Sequence, residues 1–336
     1  MGNNRYRLKP DEEALIKQYR GIQSACNTAD VDINNVSHGW LKTKNASLFF
    51  KNSPVDLQQF KKDLIQELKD YSPAYPKIKR TQTKDPHLLV IDPADIHIGK
   101  LCSAFESGES YDSQIAIKRV LKGVQGLIDS SSGYEINQII LVAGNDVLHV
   151  DTPRSTTTSG TPQDTHGMWY DNFLLGKKLY VDIIEMLMQI ADVHVVFCPS
   201  NHDFMSGFFL ADTIAAWFRK SKNVTFDISM NHRKYYGYNN NCIGFTHGDG
   251  AKVQDLPLLM AQETKHWSNP KRYIYTHHVH HKNSKDYGSV CVESLRSPSG
   301  TDSWHHRKGY QHAPKAIEAF IHHPKHGQTV RLTHYF

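Results

Sequence analysis

Five short polar clusters in this chain share a pattern, in that each follows an apolar run and each carries Asp, Asn or His. "HLLVID" leads into Pro93-Ala94-Asp95-Ile96-His97, and "NQIILVA" into Gly144-Asn145-Asp146-Val147-Leu148-His149. "VHVVFC" passes through Pro199 to Ser200-Asn201-His202-Asp203, "CIGFT" precedes His247-Gly248-Asp249, and "RYIYT" precedes His277-His278-Val279-His280-His281. Turn chemistry alone would account for one such end. Five in succession point to a shared site, because ligands in α/β sheets bind beyond the carboxyl ends of the strands. Asp95, His97, Asp146, Asn201, His247, His278 and His280 make an oxygen-and-imidazole donor set without thiolate, which suits Mn, Fe, Zn or similar divalent ions. That is too many donors for one tetrahedral ion. It suffices for two ions sharing a bridging carboxylate, about 3.5–4 Å apart, which can hold both the attacking and the leaving oxygen of a phosphoryl displacement.

The elements that must position these residues follow from periodicity. From residue 86 onward, short apolar runs alternate with helix-patterned segments such as "SQIAIKRVLKGVQGLID", "DNFLLGKKLYVDIIEMLMQIA" and "FLADTIAAWFRKS", which predicts an α/β fold with parallel strands. "YYGYNNNCIGFTHG" and "AIEAFIHHPKHGQTVRLTHYF" read as hairpins that add antiparallel strands. The Thr/Ser-rich stretch 152–167 directly follows a strand end and reads as a substrate-facing loop. "YSPAYPKIKRTQTKDPH" has three prolines and no apolar period, the signature of a linker. It divides the chain into a basic, mainly helical appendage with linker, 1–85, and a larger domain, 86–336. Within the appendage, "EEALIKQYRGIQSA" and "SPVDLQQFKKDLIQELKDY" have helical spacing, and "HGWLKTKNASLFFKN" reads as a short hairpin or loop.

Composition excludes several classes. The chain has 336 residues, 39% hydrophobic and 22% charged, an ordinary soluble balance with enough apolar material for a sizeable core. No run approaches the roughly 18 apolar residues that cross a bilayer, and the start MGNNRYRLKPDEE lacks a leader's apolar stretch; a cytoplasmic protein with no membrane partner is expected. Five scattered Cys form no C-x-x-C pair and suggest neither disulfides nor a thiolate zinc site. The net charge of +5 arises wholly in residues 1–85, where Lys77, Lys79, Arg80 and Lys84 cluster in a way that would suit a phosphate backbone, or a solvated linker.

The motifs D-x-H, G-(N)-D-x-x-H, S-N-H-D, a lone His and H-H-x-H, running in order from Asp95 to His280, resemble those of the calcineurin-like metallophosphoesterases. The resemblance covers roughly residues 87–336. It implies a sandwich of two mixed β-sheets flanked by helices. It also implies that Asp95, His97 and His280 hold one metal, Asn201, His247 and His278 the other, and Asp146 bridges. Two divalent ions are implied, Mn2+ first, with Fe, Zn or Mg as alternatives. His202 would face the phosphate and protonate the leaving oxygen or stabilise the phosphoryl charge, work suited to imidazole near neutral pH. This chain departs from the family's pattern in three places. Asn145 stands between Gly144 and Asp146, Ser200 replaces the Gly of G-N-H-D, and His277 replaces the Gly of G-H-x-H. Registers that take Asn145, His277 or His281 as ligands remain open, while His305, His306, His312, His322, His323 and His326 read as packing or surface residues.

Family resemblance alone names no substrate. His149, three residues after Asp146, resembles the DNA-repair nuclease branch, in which a His at this place also contacts the scissile phosphate. With the N-terminal charge this favours a nucleic acid, and Arg154, Lys100 and the 152–167 loop are candidate phosphate contacts. The expected activity is therefore two-metal hydrolysis of phosphodiesters in nucleic acid, with His202 and His149 as catalytic groups. The alternatives are a phosphodiesterase or phosphatase for small or cyclic nucleotides and a weakly catalytic nucleic-acid-binding protein. No ATPase segment is evident, so a motor partner would be a separate chain.

Overall fold

Alternation along a strand sends Leu88 and Val90 to one face of the segment Pro86–Asp92 and Leu89 and Ile91 to the other, yet all four are fully buried. Such a strand has to be covered on both sides. The computed structural model, which describes residues 38–42, 47–51, 73–310 and 312–336, supplies both covers. The chain divides into two compact units, Met1–Tyr71 and Ser72–Phe336. In the first, β1 (His38–Lys42) and β2 (Ser47–Lys51) form an antiparallel hairpin with Trp40 opposite Phe49. The two helical segments expected in this unit lie outside the described residues.

The second unit is an α/β sandwich of two mixed sheets. Strands β3 (Pro86–Asp92), β4 (Glu135–Gly144), β5 (Asp192–Cys198) and β6 (Val224–Asp227) run parallel, β12 (Ala316–His323) pairs antiparallel with β3, and β13 (Gly327–Tyr335) antiparallel with β12, in the order β13-β12-β3-β4-β5-β6. The other sheet has the order β10-β11-β9-β8-β7, from β7 (Lys234–Tyr238), β8 (Asn241–Thr246), β9 (Lys271–Thr276), β10 (Asn283–Tyr287) and β11 (Val290–Ser294). Its three inner strands, β8, β9 and β11, are parallel and the two edges antiparallel.

Leu88, Val90, Ile140, Val142, Val196 and Phe320 of the first sheet pack on Ile243, Phe245 and Tyr275 of the second. On the outer face, Leu89, Ile91, Ile139, Leu141, Val193 and Val195 meet Val120, Val124 and Leu127 of helix Ser113–Ser130, Leu179, Ile183 and Leu187 of helix Trp169–Met188, and Leu210 and Ile214 of helix Phe204–Trp217. Each buried Leu or Ile contributes about 1.5–3 kcal/mol of transfer free energy, so both faces help to fix the register of the parallel strands. No helix among the described residues is long and apolar enough to cross a membrane.

The stretch expected as a linker is not a bare connector over its described part. Tyr75 stacks on Phe218 at 5.0 Å and takes a hydrogen bond from the Trp217 indole, the Ile78 amide donates to Asn223, and Arg80 pairs with Asp192 at 2.9 Å. By these contacts residues from 73 onward belong with the second unit, whereas the sequence reading placed the division at 85. Arg80 is thereby committed to the protein, while Lys77, Lys79 and Lys84 are exposed.

Candidate metal centre

The carboxyl ends of β3, β4, β5, β8 and β9 meet on one side of the sandwich, and all seven expected ligands come together there. Five of them hold left-handed backbone: Asp95 (φ 51°), His97 (51°), Asp146 (59°), His278 (69°) and His280 (57°). Asp, Asn and His tolerate this region better than most residues, but so many such residues at one site need surrounding structure that over-determines them. That structure is a set of cross-loop bonds. The Asp95 amide donates to the Asn145 carbonyl at 2.8 Å, the His97 amide to the Asp146 carbonyl at 2.9 Å, and the His278 amide to Asp95 Oδ2 at 3.1 Å.

Asn145, Ser200 and His277, the residues at the three departures from the motif pattern, each have a local cause. Gly144 lies at φ 82°, and a Cβ there would stand 2.1 Å from the Cys198 carbonyl oxygen, so the glycine belongs at 144, where β4 closes against β5. Ser200 does what glycine cannot: its hydroxyl accepts from the Asp146 amide at 2.8 Å and donates to Asp203 Oδ1 at 2.6 Å. Asp203 also accepts from the Leu148 amide. Burial, with the Asp146 carboxylate nearby, pushes Asp203 up to about 7. His277 turns away from the centre, with Nε2 3.0 Å from Asp92 Oδ1, both side chains being fully buried. No hydrogen bond forms there, and the close approach brings the ends of β9 and β3 together.

Three groups of donors have atoms close enough to share an ion, Asp95-His97-His280, Asp146-His247-His278 and His97-His149-His202, the first and last sharing His97. His97 Nε2 and His280 Nε2 lie 3.3 Å apart, and His280 Nε2 is 3.5 Å from Asp95 Oδ1. Asp146 Oδ2 stands 3.3 Å from His247 Nε2 and 4.0 Å from His97 Nε2, which places this carboxylate between the two sets. Asn201 Oδ1 is 2.9 Å from His247 Nε2. Asp95 Oδ1 is buried with no hydrogen-bond partner. A buried lone carboxylate oxygen and two imidazole nitrogens facing each other are costly in a folded protein unless a cation sits among them, so the residues present fit a divalent pair.

A fourth group, Asp85-His87-His323 at the opposite end of β3, shows the contrast. His323 Nδ1 accepts from the Lys325 and His326 amides, leaving Nε2 to carry the proton toward Asp85 Oδ1 at 3.4 Å. This group satisfies itself.

Burial, above all, lowers the pKa of His97, His149, His278 and His280 and keeps them neutral, the state in which imidazole binds metal. His247 differs: burial disfavours its charge, but the Asp146 carboxylate outweighs that and pushes it up to about 9. Asp146 is held well below the usual carboxylate range, burial being overcome by His247 and His202. The His202 amide donates to Asp146 Oδ1 at 3.0 Å and His202 Nδ1 lies 2.9 Å from the His149 carbonyl, which fixes that nitrogen as a donor. His149 Nδ1 is 3.3 Å from His97 Nδ1. If His97 binds through Nε2, its Nδ1–H donates to His149, whose own proton then sits on Nε2.

These groups open into a cleft of about 520 Å³ lined by His97, Asp146, His149, Asn201, His202, His278 and His280. The 152–167 loop forms one wall through Thr157, Ser159, Thr161 and Gln163. It is tied down by the His166 amide to the Gly99 carbonyl and by Thr158 Oγ1 to Asp151 Oδ2. Lys100 also lines the cleft, buried and paired with Asp302 at 2.8 Å. Arg154, expected as a phosphate contact, is exposed and does not line it.

Of the open registers, His277 pairs with Asp92 and His281 is exposed, and neither belongs to the donor groups. The Asn145 side-chain carboxamide is buried without a hydrogen-bond partner. His305, read from sequence as a packing or surface residue, lines the cleft and stacks on His280 at 5.1 Å with ring planes 16° apart. Nothing in the sequence separates it from the other late histidines; its place depends on Asp302, which accepts from His305 Nδ1 at 2.7 Å.

No family model matches the chain, and no curated protein does. Among solved structures it is similar to a single mutant of Vps29 from Entamoeba histolytica (15% identity, TM-score 0.34, covering 74% of this chain and 99% of that one). It is also similar to wild-type Vps29 complexed with Zn2+ from the same organism (11%, 0.32, 74% and 98%). A third likeness is to a conserved uncharacterised protein, a predicted phosphoesterase, from Streptococcus pneumoniae TIGR4 (12%, 0.30, 74% and 98%).

Proposed function

We propose that this chain is a metal-dependent phosphoesterase that hydrolyses phosphodiesters, with nucleic acid as its substrate class. The observation that carries the reading is the placement of Asp146, with Oδ2 between His247 and His97 and Oδ1 bonded to the backbone of His202. One carboxylate thus touches both donor sets and the residue that faces the cleft. Asp95, His97, His280 and Asp146 would hold one ion and Asn201, His247, His278 and Asp146 the other, Mn2+ being the first choice for an N/O set. When bound, such a pair supplies Lewis acidity at the phosphoryl group and a nucleophile at neutral pH.

The protein's own part is to bind and to move protons. His202 Nδ1–H is occupied by the His149 carbonyl, so Nε2 is the nitrogen left to face the leaving oxygen, to which it gives a proton only from the doubly protonated ring. His149, neutral and carrying its proton on Nε2, donates to a phosphoryl oxygen. Two imidazole donors side by side, 5.3 Å between ring centres, can serve the leaving oxygen and a phosphoryl oxygen of one diester at the same time. The exposed Lys77, Lys79 and Lys84 precede β3, at the end of the sheet away from the cleft, where they would meet a polyanion long enough to run along the domain.

The test is hydrolysis of bis-p-nitrophenyl phosphate and of oligonucleotides after EDTA treatment and reloading with Mn2+, Zn2+ or Mg2+. Diester cleavage returns with metal. His202→Ala keeps its metal and loses about 10²–10⁴-fold in kcat, whereas Asn201→Ala loses metal. Equal metal content and equal rates in the two variants would refute the assigned roles, and no diester cleavage with any metal would refute the activity.

A further inference from the structure

The short helix Ser303–Lys308 (SWHHRK) adds Ser303, Trp304 and His305 to the lining of the cleft. Its first residues are fixed inward. Asp302 caps it through the His305 amide at 2.8 Å, binds the buried Lys100, and holds His305 flat against His280. Its other residues point out. Trp304 lines the same cleft as the metal ligands and is 58% exposed. Tyr310, whose ring lies 5.9 Å from that of Trp304, is 62% exposed, and Arg307 and Lys308 are exposed beside them.

Large aromatic rings left in water next to a polar cleft require an explanation in terms of binding. The ring path from Trp304 inward is continuous: Trp304 to His305 at 5.0 Å, His305 to His280 at 5.1 Å, and His280 to His97 at 5.2 Å. A planar group resting on Trp304 therefore lies two ring contacts from a metal ligand. Single strands are gripped by this combination of aromatic platform and neighbouring cations, since every base has a π-face and every linkage a charge.

We infer that Trp304 and Tyr310 form a base-stacking subsite for single-stranded nucleic acid, with Arg307 and Lys308 on the adjoining phosphates. The inference rests on the phosphodiesterase reading and assigns its substrate. A duplex hides its base faces, so a strand with unpaired bases is the form this rim accepts. His305 is a positioning residue that ties the rim to the metal centre.

The experiment compares a single-stranded dT six-mer with a six-mer of abasic residues of equal charge. With the Mn2+-loaded protein, the dT strand has the lower KM. Trp304→Ala removes that preference, bringing the KM ratio of the two strands toward one, whereas Phe209→Ala, which alters an exposed aromatic on another helix, leaves it in place. Binding is read separately in the His202→Ala background, where the strand survives. There dT quenches tryptophan fluorescence, and Trp304→Ala removes the quench and weakens binding about 5- to 100-fold, as expected for loss of one base–aromatic stack. Equal KM for both strands in the wild type, or a preference that survives Trp304→Ala, overturns the subsite. Activity on bis-p-nitrophenyl phosphate separates the claims: its absence in the wild type defeats the phosphodiesterase reading, while base preference and the tryptophan signal decide the subsite.

Discussion

Whether a histidine in this centre carries charge depends on its immediate neighbour. His97, His149, His278 and His280 are held neutral mainly by burial, and a neutral ring can accept a metal without first losing a proton. His247 sits against Asp146 and is pushed up from 6.5 to about 9, so below that pH the metal-free protein keeps a proton there. The sign follows: metal binding has to expel that proton, and metal affinity falls as pH falls. Titration calorimetry in two buffers of different ionisation enthalpy is expected to show release of about one proton per chain at pH 7.5, from this single group. The release should fade above pH 9. No release at pH 7.5 would contradict the pairing of His247 with Asp146.

At the scale of elements, the strands were legible because burial on both faces leaves a mark that needs no partner to be seen. "HLLVID" and "NQIILVA" are apolar at nearly every position, and their polar ends are where the chain leaves the sheet. What the sequence could not display were bonds between ends. Ser200 reads as a turn residue until it is seen holding the Asp146 amide and the Asp203 carboxylate together. Asp203 stands at the N-cap position of helix Phe204–Trp217 but does not cap it with its side chain, because the carboxylate faces Ser200 and Leu148. The pairing of His277 with Asp92 and the stack of His305 on His280 join segments distant in sequence, so no spacing rule reveals them. Ser200→Ala is therefore expected to keep every ligand and still lower metal affinity about 10- to 100-fold, the usual effect of removing a group that orients a ligand. Unchanged affinity in a metal titration of this variant would show that the loop is held by other contacts.

At the scale of the molecule, the donors come from both layers of the sandwich. Asp95, His97, Asp146 and Asn201 follow strands of the six-stranded sheet, and His247, His278 and His280 follow strands of the five-stranded one. Metal bound here adds to the contacts that already join the two sheets at this end, such as the His278 amide on Asp95 Oδ2, and a ligand that binds the folded state alone raises its stability. The single carboxylate between the two sets makes the pair interdependent, so removing it should empty both positions. The most direct measurement is elemental analysis of Mn2+-saturated, dialysed protein beside the Asp146→Asn variant. Two ions per chain in the wild type and loss of both in the variant are the predicted result; one ion per chain in the wild type, or undiminished metal in Asp146→Asn, would contradict a dinuclear centre bridged by Asp146.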